Sequence, residues 1–386
     1  MAMTYDFDAV VDRSHSDSVK WRKYAGKDVL PLWIADMDFP APPPVLAAIR
    51  QRLDEGVLGY GTATDEHVAA VQGFLQRHYG WAIEPNWIVW LPGLVTGLNV
   101  ACRAVGAPGD AVCTATPIYP PFLSAPVNAG RRVARVDLVR DEGGWLWDFA
   151  ATDAALAQSH ARLFLLCHPH NPTGRVWTAD ELTQIGLLAE KHDLIVCSDE
   201  IHAGLALDAD ARHVPFACHG PEFARRSITL MAPSKSFNMP GMGAAFAIVP
   251  DAALRRAVRA AVAGIVPDIN VLGMAGLTAA LTDCDDWLYA LRRYLAGNAR
   301  TLVRAIDAMP GLATTMPEAS YLAWIDARAL GIENPVAFFE SHGLGFSDGA
   351  DFGWPGFVRF NFGTRRALID EALARLSVAV AAVAIR

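Results

Sequence analysis

Lys235 sits at the centre of Ala-Pro-Ser-Lys-Ser-Phe-Asn, residues 232–238, between an apolar run at 228–231 and Met-Pro-Gly-Met-Gly at 239–243. A lysine at the end of a core strand is costly to bury without a purpose. An amine held there, with its charge discouraged, is suited to Schiff-base chemistry. Taken alone, Lys235 reads more simply as a solvated loop residue after a strand. Two further segments change that balance. His-Pro-His-Asn-Pro-Thr-Gly at 168–174 follows the apolar run 163–167, and Ser-Asp-Glu-Ile-His at 198–202 follows the run 194–197. Asn171, Asp199 and Lys235 therefore each fall within a few residues of a strand's C-terminal end. Open α/β sheets collect their ligand sites at that edge.

The elements behind these residues can be read in turn. Thr178 to Glu181 has the capping-box pattern and opens an amphipathic helix between the strands at 163–167 and 194–197. That is a β-α-β unit, from which parallel pairing follows. Residues 87–90 read as another strand, followed by Leu-Pro-Gly-Leu-Val-Thr-Gly at 91–97 and a helical run from Leu98. Backbone N–H groups at such a helix start can bind a phosphate, although an ordinary strand–helix turn has the same sequence. From about 46 to 275, strand-like and helix-like runs alternate, the pattern of a helix-flanked parallel sheet.

In register, these segments resemble the class I/II aminotransferase family of fold-type I pyridoxal-phosphate enzymes. More narrowly, they resemble the MalY/PatB subgroup of cystathionine β-lyases. The motifs are Asn-Pro-x-Gly at 171–174, Asp-Glu-x-His at 199–202 and Ser-Lys-Ser-Phe-Asn at 234–238, in that order. The likeness extends over nearly the whole chain. It takes in Phe-Asp-x-x-Val-Asp-Arg at 7–13, Lys20-Trp21, Ile-Ala-Asp-Met-Asp-Phe at 34–39, Gly59-Tyr60, and Phe-Val-Arg-Phe-Asn-Phe-Gly at 357–363.

The resemblance implies an α/β fold with a large, mostly parallel sheet domain and a small α+β domain, and pyridoxal 5'-phosphate as cofactor. It implies that Lys235 holds the cofactor and, once freed, removes the substrate's Cα proton. Asp199 faces the pyridine nitrogen, where a carboxylate beside a cation favours the charged form of both. Asn171 and His202 resemble the partners of the ring 3-hydroxyl. Asn171 is alternatively a turn residue before Pro172, and His202 a satisfied core histidine. Tyr119 resembles the aromatic that stacks on the ring, unless it only packs on Pro120 and Pro121. Gly93, Leu94, Val95 and Ser234 are expected at the phosphate, joined by Tyr60 of a neighbouring subunit in a homodimer with shared active sites. Arg359 resembles the arginine that grips the substrate α-carboxylate, a task suited to a bidentate fork. Asn171 and Ala35 are placed beside it. No metal is expected.

Two positions depart from the wider family. Ala232, three before the lysine, stands where a hydroxyl residue often touches phosphate, and weaker cofactor retention is expected from it. Gly243, eight after the lysine, replaces the phosphate-binding arginine of many aminotransferases, as in the MalY/PatB subgroup. The expected activity is β-elimination from cystathionine or another S-substituted cysteine. An aminotransferase using the same residues, and a MalY-like regulator that binds a transcription activator, are the alternatives.

Composition agrees with such an enzyme. A chain of 386 residues exceeds the usual single-domain size. The expected division is 46–275 for the large domain, with 1–45 and 276–386 forming the small domain and an N-terminal arm. A formal net charge of −8 argues against nucleic acid or an anionic membrane as main partner. Arg131-Arg132 and Arg225-Arg226 read as solvated loops, and Arg255, Arg256 and Arg259 as a wet helix face. The six cysteines show no Cys-x-x-Cys spacing, and Cys167 and Cys197 read as small buried apolar residues. This usage suits a reducing cytoplasm. The first eight residues lack a signal-peptide apolar core, and no stretch is long and apolar enough to span a bilayer. A long helix is expected from Trp287 to Met309, strands at 321–325 and 357–362, and a helix over 376–385.

Overall fold

The structure is a computed structural model that describes residues 5–141, 144–207 and 212–384. Its centre is a seven-stranded sheet of β1 (Ile88–Leu91), β2 (Ala111–Thr116), β3 (Arg132–Asp137), β4 (Ala161–Cys167), β5 (Ile195–Asp199), β6 (Ser227–Met231) and β7 (Ala245–Ile248). The strand order is β1-β7-β6-β5-β4-β2-β3. Only β7 runs against its neighbours. Strands β2, β6 and β7 are buried along their whole length, as expected where helices cover both faces of a parallel sheet. A second sheet of four strands is antiparallel: β8 (Ala313–Thr314), β9 (Leu322–Asp326), β10 (Ser347–Asp348) and β11 (Phe357–Asn361), in the order β8-β9-β11-β10.

The helices that matter to the site are α1 (Pro43–Asp54), α2 (Asp65–Tyr79), α3 (Leu94–Ala104), α4 (Ala179–Lys191), α5 (Ala252–Val262), α6 (Val271–Asp283), α7 (Asp285–Asp307) and α8 (Arg366–Ala384). The capping box of α4 forms: the Glu181 N–H donates to Thr178 Oγ1 at 3.2 Å, and the Thr178 N–H donates to Glu181 Oε2 at 2.8 Å. The apolar stripe read along 287–309 is the buried face of α7, with Leu288, Leu291, Leu295, Leu302 and Ile306 all fully buried. The expected C-terminal helix starts earlier than 376, at Arg366, and its last expected residue, Ile385, lies outside the described residues, as do residues 1–4. Residue 275, the expected domain limit, falls inside α6. No helix among the described residues is long and apolar enough to cross a membrane.

Two local expectations are corrected. Helix α3 begins at Leu94 rather than Leu98, which makes Gly93 its N-cap. Gly97 is no helix breaker here; a Cβ on it would lie 2.9 Å from the Leu230 side chain, so the glycine lets α3 lie close on β6. Arg131 is not a solvated loop residue. It is buried, and its guanidinium donates to the carbonyls of Cys102, Val105 and Gly106 at the end of α3. Such carbonyls have no intrahelical partner, so a cation there caps the helix.

Candidate active site

Five polypeptide segments leave the C-terminal ends of the co-directed strands and converge. Gly93 follows β1, Tyr119 follows β2, Asn171 follows β4, Asp199 ends β5, and Lys235 follows β6. Since Gly93 caps α3, the N–H groups of Leu94, Val95 and Thr96 head a helix with the positive end of its dipole toward the same edge. A Cβ built on Gly93 would meet nothing within 4 Å, so space lies open in front of this turn. Gly243 has a φ of +58°, and a Cβ there would come 3.3 Å from the Pro92 carbonyl. Position 243 is thus a left-handed turn packed on the Gly93 loop, where a side chain is strained.

Lys235 is anchored by a backbone oxygen that comes from far away in sequence. Its Nζ donates to the Ala35 carbonyl at 2.5 Å, and the Tyr321 hydroxyl donates to the same oxygen at 3.0 Å. The segment holding Ala35 is tied at both ends. Asn361 Nδ2 donates to the carbonyls of Ile34 and Asp36, and Asn238 Nδ2 donates to those of Met37 and Phe39. Fully buried Lys20 donates to Asp38 at 2.8 Å and to the Asp36 carbonyl at 3.0 Å, while Arg13 pairs with Asp36 and Asp38. Burial opposes the charge of Asp38, but Lys20 and its hydrogen bonds overcome it and hold the carboxyl below its ordinary range. The N-terminal motifs at 13, 20–21 and 34–39 are therefore one structure whose product is the position of the Ala35 oxygen.

The electrostatics follow from burial. Asp199 is buried, and its carboxylate accepts one hydrogen bond from a described residue, the Ile201 N–H at 3.1 Å. Its pKa is raised to about 7, chiefly by burial, with Glu200 adding to the rise and Lys235 opposing it. Burial lowers Lys235 to about 8, against the pull of Asp36. His202 is pushed down to about 3, first by burial and then by Lys235 and Arg359, so it is neutral in ordinary buffers. Its Nδ1 is buried with no hydrogen-bond partner among the described residues. A buried polar atom left without a partner is uncommon in folded proteins and calls for a ligand or water. Arg359 is brought in by β11. It donates to Asn171 Oδ1 at 3.0 Å, to the Trp33 carbonyl at 3.0 Å and to Ser347 Oγ at 3.3 Å. It lies over the Phe352 ring, and its Nε is buried without a hydrogen-bond partner among the described residues.

Of the residues expected from sequence, the fold brings Lys235, Asp199, Asn171, His202, Tyr119, Arg359 and Ala35 together at one sheet edge, with Gly93, Leu94, Val95 and Ser234 on the segments that leave the same strand ends. The Tyr119 N–H donates to the Asn171 carbonyl at 3.2 Å. Tyr60 is not among them within one chain: it is fully exposed on the loop between α1 and α2. Sequence reasoning missed Tyr321 and Ser347, and it read Trp33 only as a pocket-lining aromatic, not as the carbonyl that Arg359 bonds. It also gave no role to Asn238, although Asn238 closes the Ser-Lys-Ser-Phe-Asn motif, or to Glu200. Glu200 is fully buried beside Asp199 and is bonded by Ser198, His213 and the Phe216 N–H.

A helix-flanked, mostly parallel sheet with a lysine, a buried carboxylate and a buried arginine at its strand ends defines the class of fold-type I enzymes. The chain belongs to the family aminotransferase class I and II, whose model matches residues 27–376. It is 34% identical to cystathionine β-lyase PatB of Bacillus subtilis (strain 168), an alignment that covers 97% of this chain and 100% of that one. A crystal structure of OvoB superposes with a TM-score of 0.95 at 45% identity, covering 97% of this chain and 99% of that one. Cystalysin of Treponema denticola, in a structure containing pyridoxal 5'-phosphate, superposes with a TM-score of 0.94 at 32% identity, covering 98% and 100%.

Proposed function

We propose that the chain is a pyridoxal-phosphate-dependent carbon–sulfur β-lyase. It cleaves cystathionine or another S-substituted L-cysteine to pyruvate, ammonia and a thiol. The observation that carries this reading is the convergence of Lys235, Asp199 and Arg359 at one sheet edge, in a chain similar over 97% of its length to a cystathionine β-lyase. The orphaned His202 Nδ1, the singly bonded Asp199 and the open helix start at Gly93 fit the cofactor's hydroxyl, ring nitrogen and phosphate respectively. When bound, the cofactor supplies the electron sink that makes a Cα proton removable.

The chain's own residues do the rest. Asp199 holds a proton on the ring nitrogen, because a buried carboxylate beside a cation gains more from charge than from neutrality. Asn171 and neutral His202 bond the hydroxyl, Tyr119 covers the ring, and Ser234 and the N–H groups after Gly93 take the phosphate. Arg359, already oriented by Asn171 and Trp33, receives the α-carboxylate as a fork. That leaves the substrate Cα toward Lys235, whose neutral amine takes the proton. The Cα–H electron pair forms the Cα–Cβ double bond, and the Cβ–S pair departs with sulfur as thiolate. Water then hydrolyses the released enamine to pyruvate and ammonia. The exposed Tyr60 loop supplies the partner's cradle in a homodimer. We further propose the division 46–275 against 1–45 with 276–386, and a cytoplasmic location, which the six unpaired cysteines favour.

The test uses purified protein reconstituted with the cofactor and L-cystathionine, without any keto acid. Repeated, stoichiometric release of pyruvate and free thiol is expected, and Lys235→Ala abolishes it. One turnover to the amine form of the cofactor, with no thiol, would make the protein an aminotransferase instead.

A further inference from the structure

A cavity lies between the C-terminal end of α2, the segment after His202, and the outer face of α7. It encloses about 1270 Å³ and is lined by Arg77, Arg212, Arg292, Arg293 and Arg300. None of the residues assigned to catalysis or cofactor binding lines it. Helix periodicity explains the grouping: Tyr289, Arg293, Ala296 and Arg300 recur at helical spacing and share one face of α7. Ala296 and Ala299 keep the floor low between the arginines.

Among the described residues these charges are poorly compensated. Arg77 is paired with Asp285, which also takes His78. His213 is turned inward onto Glu200. Arg292 uses its Nε on the Gly204 carbonyl and lies over the Tyr289 ring, while its terminal nitrogens have no partner among the described residues. Arg212, Arg293 and Arg300 also have none among them. Asp286 is the one acidic residue among the described lining residues. Asp208 and Asp210 fall in the sequence between Leu207 and Arg212, outside the described residues. Burial lowers the Arg292 pKa against the pull of Tyr79, Tyr289 and Asp285, so this guanidinium is held partly desolvated. Tyr289 and Met316 add apolar surface, being 48% and 47% exposed inside a concave wall. On a chain with a formal net charge of −8, a cleft with this local excess of cations focuses field lines on anions.

We propose that this cavity is a binding site for a small molecule carrying two or more oxyanion groups, phosphate or carboxylate, on a body with an apolar face. Guanidinium forks match both oxyanions bidentately, and Tyr289 and Met316 receive the body. The site uses none of the residues assigned to catalysis or cofactor binding and does not depend on the reaction assigned to them.

The experiment is calorimetric titration of the cofactor-loaded protein, so that the catalytic phosphate cradle is filled. Pyrophosphate and citrate are the probes, at low and at moderate salt. Saturable binding of one molecule per chain is expected, weakening with salt. The double variant Arg293→Ala/Arg300→Ala changes two exposed side chains, so its fold and its β-elimination kinetics are expected to match the parent. Its affinity is expected to fall roughly tenfold or more, as for lost charge-assisted bonds. Binding of pyrophosphate alone identifies a phosphate ligand, and binding of both identifies a general oxyanion site. No saturable heat with either probe, or an unchanged affinity in the double variant, overturns the proposal.

Discussion

Lys235 shows how far one residue's chemistry depends on its surroundings. Burial brings its amine down to about 8, and its nearest polar contact is a backbone carbonyl rather than a carboxylate. Only the neutral amine attacks an aldehyde, and the neutral form is populated above the pKa. The rate at which cofactor-free protein captures pyridoxal phosphate is therefore expected to rise with pH, with its midpoint near 8. Stopped-flow absorbance follows it. A midpoint at the ordinary lysine value of 10.5 would show that burial does not govern the amine. The position of Lys235 at a strand end was legible from its motif, as were those of Asp199 and Asn171. The acceptor of its proton was not, because Ala35 lies 200 residues away and offers only a main-chain atom, which carries no sequence signal. The same holds for Tyr321, Trp33 and Ser347, whose side chains or carbonyls meet the site only through tertiary packing.

At the scale of elements, the segment 13–39 has no long helix or strand of its own, yet it fixes the anchor of the lysine. Its internal tie is Lys20 on Asp38, a fully buried amine on a nearly buried carboxylate. Removing one member of such a pair leaves a buried charge alone, which costs about 3 kcal/mol or more. Lys20→Met is expected to destabilise the protein by that amount even though Arg13 and Trp21 still reach Asp38. It should lower the urea midpoint without changing the slope. The sign with pH is set by Asp38, whose folded pKa is depressed below 3.8. Its contribution is present above that value and is lost as pH falls through the folded pKa. An unchanged urea midpoint would mean that the pair contributes nothing. Element type was legible here where periodicity was strong, as in α7, and where a cap was spelled out, as in α4. The start of α3 was not, because Gly97 looks like a breaker until Leu230 is seen pressed against it.

At the scale of the whole molecule, the loop between α1 and α2 presents Val57, Leu58 and Tyr60 at 71%, 63% and 111% exposure. Neighbouring exposed apolar side chains of this size mark an interaction surface. They fit the reading of Tyr60 as a contribution to a second subunit's site. Leu58 is largely exposed, so the Leu58→Asp monomer is expected to remain folded. Light scattering should report half the parent's mass, and pyruvate release should fall with it. A variant that stays dimeric and fully active would place the subunit contact elsewhere.

The order of motifs along the chain was enough to determine the family, and to place Lys235, Asp199 and Arg359 next to strand-like runs. Those properties are local: each depends on a residue type at a fixed distance from a strand end. Tertiary structure alone decided that Ala35 anchors the lysine, that Asn171 and Trp33 orient Arg359, that Arg131 closes a helix, and that five arginines share one cavity. Each of these joins residues from different elements, and their proximity is created by packing rather than written in any one stretch of chain.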